Sequence, residues 1–458
     1  MNRSSLARSA GRLGAGLADQ AVLSGVSFAA AVLVARTVEP AEFGEFALLY
    51  TTLLVVVGLQ GALVTQPHNF LGAKLEGPAY TRYTTTTALV QLVFGVATTL
   101  LILLAGALAV VDDWSWAEAL FALAGANVGW QALEFARRVL FTEARPRMAL
   151  AIDLIGWGGY LAALAVLQAA GELTSVSAIL VIGLTTAIGA AVGAWSLRRS
   201  FARTLDRGAL RENWSFAKWL GAARATSWVS TYLYIYLAAV IVGAIAAGAL
   251  RAGQILLGPL NVFLLYLDVV LPIRFSRTYA ASGRAMLQAT LVRAYAATAL
   301  PVGAYCVLVA LFAEPLLDLV FGSDFTEYAS LVVALAAYYF VQYCAQVLMA
   351  ALNARGRSRS VFIASIGAAL PGLALGWPLI EAFGADGAAI GMGVSSLMLL
   401  ALVWLFHRAD ADEPPGQRSD DPDSVSGSAT SSASRRRDSY SGARPGTETM
   451  NVNALHDD

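Results

Sequence analysis

Residues 87–111 read TALVQLVFGVATTLLILLAGALAVV, a run with no charged side chain, set between Arg82 and the pair Asp112-Asp113. The hydrocarbon core of a bilayer is about 30 Å thick and takes roughly 20 apolar residues as helix. The run is long enough to cross it and too long for a strand. It is not exceptional in this chain. Hydrophobic residues make up 57% of the 458, charged residues 14%, and mean hydropathy is +0.63; soluble domains carry about 25% charged residues. Working outward on the same criterion gives twelve spans: 17–36, 44–65, 87–111, 115–136, 149–169, 176–196, 218–241, 247–271, 290–313, 328–352, 361–382 and 386–407. The fold class expected is an all-α integral membrane protein.

Charge orders these spans. With the N-terminus placed in the cytoplasm, 21 of the 31 Arg and Lys fall in the N-terminal segment 1–16 and in the alternate connections 66–86, 137–148, 197–218, 272–289 and 353–360. The intervening connections, VDDW and Glu314 to Glu327 among them, carry essentially none. The positive-inside rule then puts both termini in the cytoplasm. The basic segment 197–217 divides the spans into two sets of six, 17–196 and 218–407, both starting on the same side. Such parallel halves recur in transporters, around a central site. Residues 408–458, rich in Ser, Asp, Gly, Pro and Arg, read as a disordered cytoplasmic tail.

Several chemistries fall away. His68, His407 and His456 are too scattered for a metal site or a Ser-His-Asp group. Cys306 and Cys344 sit in apolar runs and read as packing residues. Neither Lys74 nor Lys218 follows a Gly-rich phosphate loop, so a Walker-type ATPase is excluded. No metal, no cofactor and no nucleic-acid partner are expected, and the chain is not read as an enzyme.

Polar groups at membrane depth are costly to bury, so they face one another or a water-filled cavity. In the eighth span Arg251, Gln254, Gly258, Asn261 and Asp268 recur at helical spacing on one face, opposite Leu, Val, Phe and Ile. The tenth span has Gln342 and Gln346, and the fourth Asn127, Gln131, Glu134 and Arg138. These stripes read as the lining of a central cavity, with Arg251, Gln254, Asn261, Gln342, Gln346, Asn127 and Gln131 as substrate contacts. The competing reading is interhelical packing. Glu134, Asp153, Asp268, Arg224 and Arg293 fall toward the cytoplasmic ends of their spans. Ion pairs from Glu134 and Asp153 of the first half to Arg224 and Arg293 of the second are expected as an inner gate, with Glu134, Asp153 and Asp268 the coupling candidates. Arg251 suits an anion such as phosphate, which guanidinium grips with two parallel hydrogen bonds.

Four segments carry a resemblance: VARTVEPAEFGEFALL at 34–49, VGAIAAGALRAGQILLGPL at 242–260, ALNARGRSRSVFIASIG at 351–367 and GADGAAIGMG at 384–393. In order and spacing the chain resembles the oligosaccharide flippases of the multidrug/oligosaccharidyl-lipid/polysaccharide (MOP) exporter superfamily. The resemblance implies two six-helix bundles around a central cavity and alternating access. It also implies transfer of a polyprenyl-phosphate-type lipid-linked oligosaccharide to the outer leaflet of the cell membrane. Family members often have Tyr before the arginine matching Arg251, where this chain has Ala249-Leu250.

Other readings stand beside it. A multidrug or toxic-cation antiporter of the same superfamily needs acidic groups deep in the cavity, whereas here the acids cluster at span ends. A flippase for a peptidoglycan precursor is a further member of the class. A membrane glycosyltransferase or polymerase needs a larger outer loop than 314–327. A scaffold for glycan-assembly proteins would use the basic loops and the tail. The partners expected are the lipid-linked oligosaccharide and membrane lipid, and the chain is expected to act as a monomer.

Overall fold

In the computed structural model the backbone is described over residues 24–412, with side chains except at 216, 219, 220, 223–231, 265, 266, 268, 269 and 410–412. The described residues form helices joined by short connections, with no strand among them. Helix α1 covers Ser24–Thr37. It is followed by α2 (Pro40–Gly72), α3 (Gly77–Val111), α4 (Ala117–Thr142), α5 (Pro146–Ala170), α6 (Ser175–Ser196) and α7 (Arg207–Ile241). Then come α8 (Ala244–Leu256), α9 (258–282), α10 (284–311), α11 (Ala313–Phe321), α12 (Ala329–Ala354), α13 (Ser358–Phe383) and α14 (Ala385–Asp412).

Eight of these helices, some with an adjoining turn, are long and apolar enough to cross a membrane, and a bent pair, α8 with the start of α9, makes nine. Three others stand where the first, fourth and seventh spans are expected. Helix α1 is described only from Ser24 on. Helix α4 loses hydropathy to Asn127, Gln131, Glu134, Arg137 and Arg138, and α7 opens on the polar RGALRENW. The outward surface agrees with a lipid environment: on α3, Leu92, Leu100, Leu104 and Val111 are all exposed, a patch that water would not tolerate.

Three boundaries differ from the sequence expectation, each for a local reason. Helix α3 starts at Gly77, ten residues before the expected span, because Gly77 takes a positive φ and Pro78 sets the first turn. Residues 207–217 are helix and not connecting loop, because the Asp206 side chain accepts from the Gly208 and Ala209 N–H groups and caps α7. The eighth span is broken. Pro259 has no N–H to continue the hydrogen-bond ladder, and the chain bends by 57° between α8 and α9. The turn between α9 and α10 falls at Gly283, with φ 69°.

Helices α3–α6 pack chiefly on one another and α7–α13 likewise, while α2 touches both groups, lying against α4 and α6 on one side and α7 and α8 on the other. At the end of the molecule holding the α1–α2 and α7–α8 turns, α2 and α8 meet backbone to backbone. A β-carbon on Gly44 would overlap the Ala244 carbonyl. Phe43 packs there on Phe321 and Phe325 at 6.1 and 5.6 Å between ring centroids. Arg36 donates from Nε to the Val320 carbonyl (2.9 Å) and from Nη2 to those of Asp318 (3.2 Å) and Leu319, capping the C-terminus of α11. This end is closed.

Candidate functional site

Below the closed end, α1, α2, α4 and α5 face α8 and α9 across a cavity of about 680 Å³, a size that suits a drug-sized or head-group ligand. The break at Pro259 positions its second wall. Arg251 and Gln254 project from α8, and Asn261 from α9, and all three line the cavity. Asn261 donates to the Tyr339 hydroxyl at 3.1 Å, which fixes its orientation. The Arg251 guanidinium lies over the Tyr50 ring, 5.2 Å from its centroid, and makes no ion pair among the described residues.

The opposite wall is aromatic. Tyr50 shares a hydrogen bond with Ser27 Oγ (3.1 Å) and packs on Trp130 at 5.4 Å; Trp130 meets Trp157 edge-on at 4.7 Å. Trp157 is carried by a π-helical turn, Leu154–Gly158, inside α5, the kind of local widening that re-aims side chains at sites. None of these rings stood out in the sequence, because single aromatics in apolar helices carry no period.

The charged groups pair differently from the expected gate. Glu134 Oε2 and Oε1 accept from Arg137 Nη1 (3.0 Å) and Arg138 Nε (2.5 Å) on the same helix, and Arg137 Nε reaches Asp153 Oδ2 of α5 at 2.9 Å. Among the described residues, the ion pairs of both acids lie within the first set of helices. The partner Arg293 is exposed and has no part in the cluster, while the side chains of Arg224 and Asp268 lie outside the described residues. A pair between the halves through Glu134 or Asp153 and Arg293 is therefore absent from this structure. The nearer partners, three and four residues along α4, satisfy Glu134 at smaller cost in side-chain ordering.

Asn127 and Gln131 are corrected too. Both are fully buried among α2, α3 and α4 and do not line the cavity with Arg251. Gln60 Nε2 donates to Gln91 Oε1 (2.9 Å) and to the Gln131 carbonyl (2.8 Å), and Gln91 Nε2 to Gln131 Oε1 (3.1 Å). Gln131 Nε2 donates on to Asn127 Oδ1 (2.7 Å) and Thr98 Oγ1 (2.9 Å). The amides bond chiefly to one another, with Gln60 Oε1 left without a hydrogen-bond partner among the described residues, and they pack α2, α3 and α4 together. Gln342 on α12 accepts from Ser396 Oγ of α14 at 2.9 Å; neither it nor Gln346 is on the cavity wall.

A second hollow, also about 680 Å³, lies at the closed end and is lined by Glu39, Glu42, Glu45, Glu118 and Glu172. Two of its acids are committed to structure: Glu42 accepts from the Ser175 N–H (2.7 Å) and Glu45 from its hydroxyl (3.4 Å) at the start of α6, where the helix dipole favours carboxylates. The cavity around Arg251 is the candidate site.

No family model matches the chain, and no curated protein matches it. Solved structures do. An inward-facing multidrug resistance MATE family transporter of the MOP superfamily superposes with a TM-score of 0.72 at 13% identity, over 85% of this chain and 94% of that one. An outward-facing structure so described gives 0.60 at 14% identity, over 86% and 93%. A MOP superfamily transporter from Pyrococcus furiosus, described as having a binding pocket of reverse polarity that suggests a different function, gives 0.59 at 14%, over 88% and 94%. At such identities the likeness establishes the fold, and the fold is that of the MOP superfamily transporters.

Proposed function

We propose that this protein is a membrane transporter that carries an amphiphilic organic molecule through the cavity by alternating access, and that the polar head it prefers is anionic. The observation that carries the reading is the charge of the wall. Arg137, Arg138 and Arg251 line the cavity with Glu134 the sole acid among the described lining residues. Asp153, buried behind Arg137, balances one arginine and Glu134 another, so among the described residues the surplus is one positive charge. Arg251, which faces the cavity outside any described ion pair, is where that surplus sits. Tyr50, Trp130 and Trp157 offer apolar faces to the rest of the molecule.

The structural neighbours support transport of drug-like amphiphiles, since two of them are described as multidrug resistance transporters. Fold does not fix substrate, and pocket polarity is what the description of the Pyrococcus furiosus relative singles out. A lipid-linked oligosaccharide is the second reading. It rests on the four resembling segments and on the match between Arg251 and a phosphate. In the orientation given by the arginine-rich connections, the protein sits in the cell membrane with both termini cytoplasmic, and the closed end faces outward. The described lining residues come from both sets of helices of one chain, and we take the monomer as the working unit.

Thermal unfolding of the purified full chain with decyl phosphate or decyltrimethylammonium tests the charge preference. The phosphate raises Tm in the wild type and does so much less in Arg251→Ala. Stabilisation by the ammonium alone would overturn the anionic preference.

A further inference from the structure

We propose that Arg137 and Arg138 form an anion subsite on the cavity wall, that Glu134 occupies it in this structure, and that the anionic head of the substrate displaces the Glu134 carboxylate on binding. This rests on the reading of the cavity as an anion-selective transport site and says where the head group goes.

The geometry distinguishes two carboxylates that hold the same arginine. Asp153 is 1% exposed and grips Arg137 Nε from α5, behind the wall. It anchors the guanidinium and has no path to the cavity. Glu134 is 12% exposed, lies on the cavity wall, and lays one oxygen on each of Arg137 and Arg138. A carboxylate bridging two guanidinium groups occupies the place that an oxyanion with several acceptor oxygens takes between paired arginines. Arg138 is 39% exposed, so its half of the cluster is open to water, where an ion pair is worth little.

Charge supplies the driving force for exchange. Arg137, Arg138, Glu134 and Asp153 together are neutral. A phosphate monoester carries about −1.5 to −2 at pH 7, more than the carboxylate it replaces. It also offers three acceptor oxygens where Glu134 offers two. The released Glu134 stays on the cavity wall in water. A cationic substrate makes the opposite demand, because it needs the Glu134 charge kept.

The two demands give Glu134→Gln opposite signs. The probe is hexyl phosphate, titrated calorimetrically into the full chain in nanodiscs, with hexyltrimethylammonium as the cationic counterpart. Removing the competing carboxylate makes Glu134→Gln bind hexyl phosphate about tenfold more tightly than wild type. Adding Arg138→Ala to that variant cancels the gain. Glu134→Asp, whose shorter side chain reaches one arginine at most, falls between, and it carries the test if Glu134→Gln does not fold. Equal or weaker phosphate binding by these variants, with wild-type binding intact and dependent on Arg251, would overturn the displacement while leaving the anionic cavity standing. Absence of phosphate binding in all forms, with ammonium binding that Glu134→Gln abolishes, would overturn both.

Discussion

Arg137 holds two acids at once, one buried and one on the cavity wall, and this makes its energetics specific. Asp153→Asn removes the buried acid that pairs with the mostly buried guanidinium. Breaking a buried pair from one side costs about 3–5 kcal/mol, whereas replacing both partners by apolar groups of similar volume is often neutral. Chemical unfolding in detergent is therefore expected to rank Asp153→Asn well below wild type, with the double change Arg137→Met, Asp153→Leu close to it. A similar contrast separates the two kinds of amide. Gln131→Leu removes interhelical hydrogen bonds worth on average about 0.6 kcal/mol, at most about 1.7, and leaves ligand binding unchanged. Gln254→Leu, on the cavity wall, lowers binding of decyl phosphate with little effect on Tm. Reversal of these two results in paired thermal and binding assays would contradict the placement.

At this scale the sequence was half legible. The stripe Arg251, Gln254, Asn261 was visible as a period and does line the cavity. The stripe Asn127, Gln131 has the same period, yet its partners Gln60, Gln91 and Thr98 lie on other helices. Periodicity reports which residues share a face and not whether that face meets water or another amide. The partners of Glu134 on its own helix were missed for the opposite reason. Arg137 and Arg138 follow Glu134 at the spacing that helical neighbours favour, and that local rule identifies the partners that a search across the halves missed.

Among the elements, the break between α8 and α9 and the close approach of α2 to α8 decide the shape of the site. Proline 259 was legible as a residue, but a continuous eighth span satisfied the hydropathy pattern equally well, so the 57° bend was not. Gly44 matters because its missing side chain lets α2 meet the α8 backbone at the closed end. That contact has to open if the cavity is to reach the other side. Gly44→Ala overpacks it, at a cost of about 1–3 kcal/mol, and favours the conformation in which α2 and α8 are apart. A cysteine at Ser27, on the cavity wall, in a background with Cys306 and Cys344 replaced by Ala, reports this in right-side-out vesicles. Labelling by a membrane-impermeant thiol reagent from outside is expected to rise with Gly44→Ala. Unchanged labelling, in a variant that retains its fold, would contradict the role of this contact.

For the whole molecule, composition and the alternation of basic connections made the helical membrane fold legible, and the superposition on MOP superfamily transporters agrees with it. The cavity was legible only as an expectation, because its aromatic wall and its second anchor, Asp153 behind Arg137, arise from packing between distant segments. The substrate is a matter of charge at a few of those positions. The measurement that tests this most directly uses proteoliposomes holding the full chain and fluorescently tagged alkyl phosphate, with quenching of the outer leaflet to time its movement across the bilayer. The account predicts that wild-type protein moves the phosphate, that Arg251→Glu abolishes this movement, and that a tagged alkyltrimethylammonium moves slowly by comparison. Rapid movement of the ammonium by the wild type, with phosphate movement absent or indifferent to Arg251→Glu, would contradict it.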